Sequence, residues 1–322
     1  MKLLVTGGAG YIGSIVAQQL LEHGHDVTVL DDLSRGHRAA VPPGATLIEA
    51  SLLDERATHN ALQPGFDGVL HFAALALVAE SVEHPERYHR GNVVGALNLL
   101  DAMRAAHVNR LVFSSTCAVY GEPDAVPMRE DLPASPVNAY GNSKLAVDRM
   151  LADECRAHGL GGASLRYFNV AGASGSLGED HEPETHLVPL VLRAAAGIAD
   201  HVKVFGTDYP TRDGTAVRDY IHVEDLARAH VLALEGIEPG RHRIYNLGTG
   251  DGYTVREVIE TARRVTRQPI PARDEGRRPG DPAALVAAAD RIREELGWEP
   301  RKGLEEMIAD AWAWHRAHPD GY

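Results

Sequence analysis

The chain is poor in the features that mark several classes of protein. Its 322 residues include two cysteines, Cys117 and Cys155, without metal-type spacing, which favours a reduced, cytoplasmic protein over a disulfide-rich secreted one. The longest largely apolar stretch, Val69–Ala79, is far shorter than the roughly 20 residues that span a bilayer. The N-terminus also lacks the pattern of a signal peptide. We therefore expect neither secretion nor a membrane partner.

Positive charge is also scarce. Lysine and arginine together number 32 against 45 acidic residues, which gives a formal net charge of −13. Long-range repulsion of this sign opposes binding to nucleic acid or to anionic membranes, so we expect neither as a partner. An anionic ligand would need a local basic pocket. The apolar content of 44% and the charged content of 24% are typical of an ordinary globular protein.

Short β-branched runs alternate with longer helical patterns in the N-terminal half. The predicted buried strands are Lys2–Thr6, Val27–Leu30, Thr46–Glu49, Val69–Phe72 and Leu111–Ser114, and a further strand is predicted at Ala163–Tyr167. The predicted helices are Tyr11–Glu22, Pro85–Ala106 and Tyr140–His158. This alternation predicts an α/β fold, a Rossmann-type doubly wound parallel sheet with helices on both faces.

Beyond Asn169 the alternation gives way to a glycine-rich loop through Asp180, and short elements follow. We expect a dinucleotide-binding domain over residues 1–175, joined by 213–248, because Arg243–Leu247 can return to the first sheet. A smaller mixed α/β substrate domain is expected over 176–212 and 249–322.

A glycine-rich run lies between the first predicted strand and helix. It reads Gly7-Gly8-Ala9-Gly10-Tyr11-Ile12-Gly13 and fits both common spacings of the dinucleotide fingerprint. Glycine lets the backbone approach a pyrophosphate, and the helix N-terminus offers free N–H groups. Asp31 ends the second strand, where a carboxylate can accept hydrogen bonds from ribose hydroxyls and would repel a 2′-phosphate. We therefore expect NAD, although Arg35 and Arg38 nearby leave NADP open.

A tyrosine and a lysine four residues apart, Tyr140 and Lys144, open the third predicted helix. Positions i and i+4 share a helix face, so both groups can point into one site. An ordinary phenol has a pKa near 10, and a neighbouring ammonium and a cationic ring can lower it enough for a general base. Thr116 follows the strand Leu111–Ser114 and can relay the proton. The alternatives are an ordinary surface pair and a turn hydroxyl that satisfies backbone groups.

These motifs resemble those of the extended short-chain dehydrogenase/reductase superfamily and, within it, the UDP-glucose 4-epimerase family. The resemblance runs from Met1 to about Arg316. The segments that carry it are His71–Ala74 with Glu80–Val82, Tyr167–Asn169, Phe205–Thr211, Arg218–Val223 and Asn246–Gly250. The stretch Phe205–Val223 is the most specific of them.

The resemblance implies a redox-neutral reaction on a UDP-sugar with resident NAD. Tyr140 would take the proton of the sugar 4′-hydroxyl, NAD would take the C4′ hydride, and the keto sugar would turn its other face before the hydride returns. Implied cofactor contacts are Gly7, Gly10, Tyr11, Ile12, Gly13, Asp31, Asp32, Ser51, Leu52, Phe72, Ala73, Ala74, Asn92, Ser114, Ser115, Tyr140, Lys144 and Tyr167. Implied substrate contacts are Thr116, Tyr140, Asn169, His186, Leu187, Lys203, Phe205, Arg218, Arg278, Asp281 and Leu285.

The chain departs from the family pattern at three places. Ser51 replaces an acid expected to contact adenine, and Leu75–Leu77 contains no lysine, which puts the tightness of NAD retention in doubt. Leu285 replaces a bulky aromatic of some hexose-specific members, so we also expect some activity on UDP-N-acetylglucosamine. A homodimer is implied as well, formed through the helices predicted at Pro85–Ala106 and Tyr140–His158.

Two other functions remain as alternatives. A nucleotide-sugar dehydratase needs a carboxylate beside the catalytic hydroxyl, and Thr116-Cys117-Ala118 offers none. A non-catalytic NAD-sensing module has no use for Tyr140, Lys144 and Thr116 together. No metal site is expected, because His23-Gly24-His25 and His181-Glu182 lie in predicted loops without a converging ligand set.

Overall fold

A computed structural model of the protein describes residues 1–63, 65–123, 125–278 and 280–322. The strands are β1 (Lys2–Thr6), β2 (Asp26–Asp31), β3 (Thr46–Glu49), β4 (Gly68–His71), β5 (Arg110–Thr116), β6 (Gly161–Tyr167), β7 (Asn169–Ala171), β8 (Val202–Phe205), β9 (Val217–Arg218), β10 (Tyr220–His222), β11 (His242–Leu247), β12 (Tyr253–Thr254), β13 (Ala272–Glu275) and β14 (Ala284–Leu285). The helices are α1 (Tyr11–Glu22), α2 (Glu55–Leu62), α3 (Val78–Glu83), α4 (Pro85–Tyr88), α5 (Gly95–Ala105), α6 (Ala139–His158), α7 (Leu187–Ala195), α8 (Val223–Glu235), α9 (Val255–Thr266), α10 (Asp290–Leu296) and α11 (Leu304–Ala317).

The main sheet has seven strands in the order β11-β6-β5-β4-β1-β2-β3. The neighbours from β3 to β5 pair in parallel, with Thr6 of β1 opposite Leu30 of β2 and His71 of β4. The chain order reverses between β1 and β4, which is where doubly wound sheets bind their ligands. The predicted Rossmann-type fold is therefore confirmed.

Apolar strand faces and one face of each flanking helix form the core of this sheet. Leu4, Leu111 and Phe113 from the strands pack with Leu99 of α5 and Leu151 of α6, and all are almost fully buried. Burying a leucine or phenylalanine side chain contributes about 1.5–3 kcal/mol. This packing fixes the strand ends that lead into the glycine-rich loop.

The secondary-structure predictions are largely confirmed in this half, with three corrections. The strand Thr46–Glu49 has the predicted bounds, but it is not buried, because it lies at the edge of the sheet. Helices α2 and α3 were not predicted. The helix predicted at Pro85–Ala106 is interrupted by a π-helical turn over His89–Val94, which adds one residue to a turn.

The chain divides into two compact units, one of residues 1–121, 133–166 and 227–245, the other of 122–132, 167–226 and 246–322. The second unit contains short parallel pairs, β7 with β10 and β8 with β13, and a three-stranded sheet in the order β12-β9-β14. Its core lies between α7, α9 and α11. In both units, the described helices include none that is long and apolar enough to cross a bilayer.

Candidate active site

The glycine-rich loop joins β1 to α1 and is held by backbone contacts. Gly7 donates to the carbonyl of Leu30 at 2.8 Å and has a φ of +74°, which favours glycine. A Cβ on Gly7 would lie 2.4 Å from the nitrogen of Ala73, and one on Gly13 would lie 2.2 Å from the Gly7 carbonyl oxygen. These two glycines are therefore required by the packing of the loop itself.

Gly10 differs from the other two. It precedes α1 with extended backbone angles, φ −87° and ψ 172°, that any residue adopts. A Cβ there would meet only the Gly7 carbonyl oxygen, at an ordinary 3.5 Å. Among the described residues no side chain caps this helix end, and the N-terminus of a helix favours an anion. Gly10 is therefore the one of these three glycines that the packing of the loop does not itself require.

Asp31 lies at the end of β2 and is buried. Its two carboxylate oxygens accept from the backbone nitrogens of Ala9 at 3.0 Å and Leu33 at 2.9 Å. Each oxygen retains a lone pair for a ribose hydroxyl. Burial raises the pKa of this carboxyl, while the two backbone hydrogen bonds act in the opposite direction. Asp32 beside it is exposed and accepts from Ser34.

The remaining predicted cofactor residues of this unit lie at the strand ends and beside them. Tyr11 and Ile12 open α1, Phe72, Ala73 and Ala74 follow β4 half-buried, and Ser51 and Leu52 follow β3. Arg38, which left NADP open, forms an exposed ion pair with Glu49. Its guanidinium is therefore already paired with a carboxylate, and that carboxylate lies opposite Asp31 in the register of β3 with β2.

Asn92 lies within the π-helical turn and is buried. Its side-chain oxygen accepts from Leu75 at 2.8 Å, and its nitrogen donates to the Leu75 carbonyl at 3.0 Å and to Ser143 at 2.9 Å. These bonds fasten the loop after β4 to helix α6. The contact with NAD that the family resemblance implies for Asn92 stays a prediction.

Helix α6 begins close to the end of β5. Asn138 caps the helix by accepting from Gly141 at 2.8 Å. A Cβ on Gly141 would lie 2.6 Å from the carbonyl oxygen of Ala118, so glycine lets the helix start approach the segment after β5. The approach brings Tyr140 close enough to Thr116 for the threonine hydroxyl to lower the pKa of the phenol.

Burial dominates the electrostatics of the tyrosine and the lysine. It raises the pKa of Tyr140 to about 12, although the hydrogen bond from Thr116 acts to lower it. It lowers the pKa of Lys144 to about 7, against the attraction of Asp148. The ammonium nitrogen donates to the carbonyl of Ser114 at 2.8 Å and lies 6.0 Å from the centre of the Tyr140 ring. Without a bound ligand, the phenol therefore keeps its proton at neutral pH and does not act as a base.

Several predicted substrate residues lie together in the second unit. Arg218 ion-pairs with Asp281 and also donates to the carbonyl of Pro282 at 2.9 Å. Leu285 lies opposite Arg218 in the register of β14 with β9. The predicted substrate residues here therefore offer cationic, acidic and apolar groups of the kind that suit a nucleotide. They are Arg218, Asp281, Leu285, Phe205 and Arg278. The Arg278 guanidinium lies 3.9 Å from the centre of the Phe205 ring.

The other predicted residues have less specific surroundings. Tyr167 is buried, and Asn169 donates to the carbonyl of Asp219 at 3.1 Å. Lys203 is exposed on β8 and shares a strand face with Phe205. His186 precedes α7, and Leu187 is the first residue of that helix.

One prediction about the histidines is wrong. His181 was expected to have no converging ligand set, but Glu179, Glu184 and His186 approach it within the same loop. Sequence spacing alone gave no sign of this, because the loop must fold back before these side chains meet.

Comparison with known proteins decides the family. The sequence pattern of the "NAD dependent epimerase/dehydratase family" matches residues 3–248. A UDP-glucose 4-epimerase of Corynebacterium glutamicum is 58% identical over 99% of this chain and 97% of its own length. A crystal structure of a UDP-glucose 4-epimerase has a TM-score of 0.97 at 44% identity, over 100% of this chain and 99% of its own. A crystal structure of the UDP-glucose 4-epimerase from Stenotrophomonas maltophila, with bound NAD and formylated UDP-arabinopyranose, has a TM-score of 0.95 at 41% identity, over 99% of each chain.

The chain belongs to the NAD dependent epimerase/dehydratase family and, within it, to the UDP-glucose 4-epimerases. The epimerase family accounts for the NAD fingerprint, and the loop around Gly10 and the free lone pairs of Asp31 fit that cofactor.

Sequence reasoning missed a buried network behind the epimerase tyrosine. Asp148, one turn after Lys144 on α6, accepts from Arg166 of β6 at 2.9 Å and from Ser115 at 3.2 Å. Arg166 also donates to the hydroxyl of Tyr120 at 3.0 Å. The i, i+4 spacing of Lys144 and Asp148 was the available signal. The network fastens α6, and with it the lysine, to the sheet.

Asp219 in the second unit was missed as well. Its buried carboxylate accepts from the backbone nitrogens of Thr249, Gly250 and Ala287 at 2.7–3.0 Å. Burial raises its pKa, against these bonds. Asp219 therefore holds the segments that lead into β12 and follow β14, the two strands beside the β9 strand of Arg218.

Proposed function

We propose that this protein interconverts UDP-galactose and UDP-glucose by inverting the configuration at C4, with NAD held through the cycle. The observation that carries the proposal is the close approach of the Tyr140 phenol and the Thr116 hydroxyl, with Lys144 one helical turn away. Two linked hydroxyls offer a path for the proton of the sugar 4′-hydroxyl. NAD, when bound, supplies a reversible hydride acceptor for C4.

The residues around Gly10 and Asp31 would hold the cofactor. The uncapped start of α1 faces a pyrophosphate with N–H groups, and Asp31 accepts from ribose hydroxyls. Both groups are preorganised by backbone hydrogen bonds, so binding orders little of the chain.

Tyr140 must lose its proton more easily than its burial allows. Bringing a pKa of about 12 to near 7 requires about 7 kcal/mol of differential stabilisation of the phenolate. A protonated Lys144 and the positive ring of the bound cofactor are the two positive charges that we propose for this task. Thr116 donates to the phenolate or to the sugar oxygen as the proton moves.

The second unit would bind the UDP part. Guanidinium groups suit a diphosphate because they offer paired donors, and Arg218 and Arg278 provide two. Arg218 is already held by Asp281, so its position is fixed before a substrate arrives. Phe205 would stack on uracil, and Asp281 would accept from a ribose hydroxyl. The family membership favours the unmodified hexose over UDP-N-acetylglucosamine, and an enzyme over an NAD-sensing module.

We also propose that the protein works as a homodimer in the cytoplasm. Leu97 on α5 leaves 45% of its surface exposed, and Val82, Val94 and Val78 nearby in sequence are also exposed large apolar residues. An apolar surface of this kind favours burial against a second copy. Cys117 and Cys155 form no disulfide with each other, which fits a reducing compartment.

The test is the conversion of UDP-galactose to UDP-glucose by the purified protein, with a coupled assay for UDP-glucose. We expect Tyr140→Phe to lower kcat by at least about a hundredfold, the usual contribution of a general acid–base group. Thr116→Ser should keep most of the activity, and Thr116→Val should lose it. Unchanged turnover in Tyr140→Phe, with NAD content preserved, would refute the proposed chemistry.

A further inference from the structure

Four potential metal ligands converge at the start of helix α7. Glu179, His181, Glu184 and His186 each offer one ligand atom, and these atoms all lie within 4.8 Å of one another. Within the described part of the chain, this is the one group of histidine, cysteine and acidic side chains that meets in this way. None of the four takes part in the proposed proton transfer.

The distances fit a tetrahedral centre. The Nδ1 atom of His186 lies 2.7 Å from an oxygen of Glu179 and 3.2 Å from one of Glu184. The Nδ1 atom of His181 lies 3.2 Å from the same Glu179 oxygen and 3.9 Å from Glu184. Ligands about 2.0–2.1 Å from a tetrahedral ion lie about 3.3 Å apart, so small side-chain movements suffice.

The two carboxylates are the buried part of the group. Their side chains are 7% and 2% exposed for Glu179 and Glu184, whereas the histidines reach the surface. The carboxylates therefore lie on the inner side of the group and the imidazoles on its outer side.

The loop is also fixed from outside the group. Gly178 donates to the hydroxyl of Tyr322 at 2.9 Å, and that hydroxyl donates back to the Gly178 carbonyl at 3.1 Å. The ring of Trp314 on α11 lies where a Cβ on Gly178 would be. The ligand set is thus presented by an ordered segment, which reduces the entropic cost of binding an ion.

We propose that Glu179, His181, Glu184 and His186 bind one Zn²⁺ ion, which closes the loop of residues 179–186 immediately before α7. Two imidazoles with two carboxylates suit zinc, whereas Mg²⁺ and Ca²⁺ prefer oxygen ligands alone. All four positions are filled by the protein, so the ion is structural and leaves no position for a substrate. The competing interpretation is a metal-free ion pair between a protonated His186 and the two carboxylates.

The experiment titrates the full-length protein, freed of metal by a chelator, with ZnCl₂ in a calorimeter. We expect one Zn²⁺ per chain with a Kd below about 1 μM and a rise in Tm of at least about 2 °C, reversed by chelator. Co²⁺ in place of Zn²⁺ should give the intense visible absorption of a four-coordinate site.

Two variants and two matched controls assign the ligands. His181→Gln and Glu184→Gln should each weaken Zn²⁺ binding by more than about tenfold, the effect of losing even an outer partner of a metal site. His23→Gln and Glu182→Gln, which change exposed residues outside the group, should bind as the wild type does. Far-UV circular dichroism checks that each variant is folded. His186 is left unchanged because it is also a predicted substrate contact.

Two results would overturn the proposal. One is a wild-type chain that binds Zn²⁺ more weakly than about 1 mM or with no change in Tm, as the metal-free ion pair requires. The other is equal Zn²⁺ affinity in the two ligand variants and their controls. The wild-type titration decides the matter even if a variant fails to fold.

Discussion

Gly10 offers a sharp test of cofactor binding, because its Cβ position is empty of protein. The change is Gly10→Ala. In the protein, the new methyl group would meet only the Gly7 carbonyl oxygen at 3.5 Å, and the backbone angles suit alanine. The folding cost is then that of replacing glycine by alanine before a helix, about 1 kcal/mol or less. With NAD, the methyl group would occupy the approach of the pyrophosphate.

We expect at least a hundredfold loss of NAD affinity, about 2.7 kcal/mol, from this one methyl group. Gly303→Ala is the matched control, since Gly303 precedes α11 with nearly the same backbone angles, φ −90° and ψ −177°, and a Cβ there meets nothing within 4 Å. The assays are thermal unfolding, and NAD content per chain after purification and extensive dilution. Equal NAD retention in Gly10→Ala and Gly303→Ala would refute the placement of the pyrophosphate.

Three further predictions follow from buried groups and from the exposed face of α5. Burial lowers the pKa of His71 to about 3, below its unfolded value of 6.5. The stability that the neutral imidazole contributes is therefore complete above pH 6.5 and is lost as the pH falls towards 3, where the free energy of unfolding should fall by up to about 1.4 kcal/mol per pH unit. A His71→Gln variant with the same pH slope would contradict this. Asp148→Asn should lower the free energy of unfolding, measured in urea, by about 3–5 kcal/mol, because it removes the carboxylate that pairs with buried Arg166. Asp153→Asn, on an exposed part of the same helix, should change that free energy little. Leu97→Glu should turn a dimer into a monomer by light scattering without loss of helix content, and an unchanged mass would remove α5 from the interface.

Local signals predicted the first half of the chain well. The bounds of β1, α1 and β3 follow directly from β-branched runs, helical spacing and the glycines between them. The glycine fingerprint and the pair Tyr140–Lys144 have characteristic sequence spacings. These spacings correctly predicted a loop between β1 and α1 and the start of helix α6.

Features that depend on distant residues were not predictable in the same way. The edge position of β3 is decided by sheet order, which no property of Thr46–Glu49 reveals. Asp148 has the sequence setting of an ordinary helix acid until Arg166 of β6 comes beside it. The group at Glu179–His186 needs the loop to fold back, and it has no periodic pattern. In each case tertiary packing, rather than propensity, sets the outcome.

The two backbone bonds of Asp31 constrain how the cofactor preference of this protein can evolve. A change that admits a 2′-phosphate would ordinarily remove this carboxylate and add a nearby arginine. Here the same carboxylate also holds Ala9 in the glycine-rich loop and Leu33 in the next turn. Its loss would leave two backbone donors to find new partners and would loosen the glycine-rich loop. Selectivity and loop order thus share one side chain, and a successful switch to NADP would have to rebuild both together.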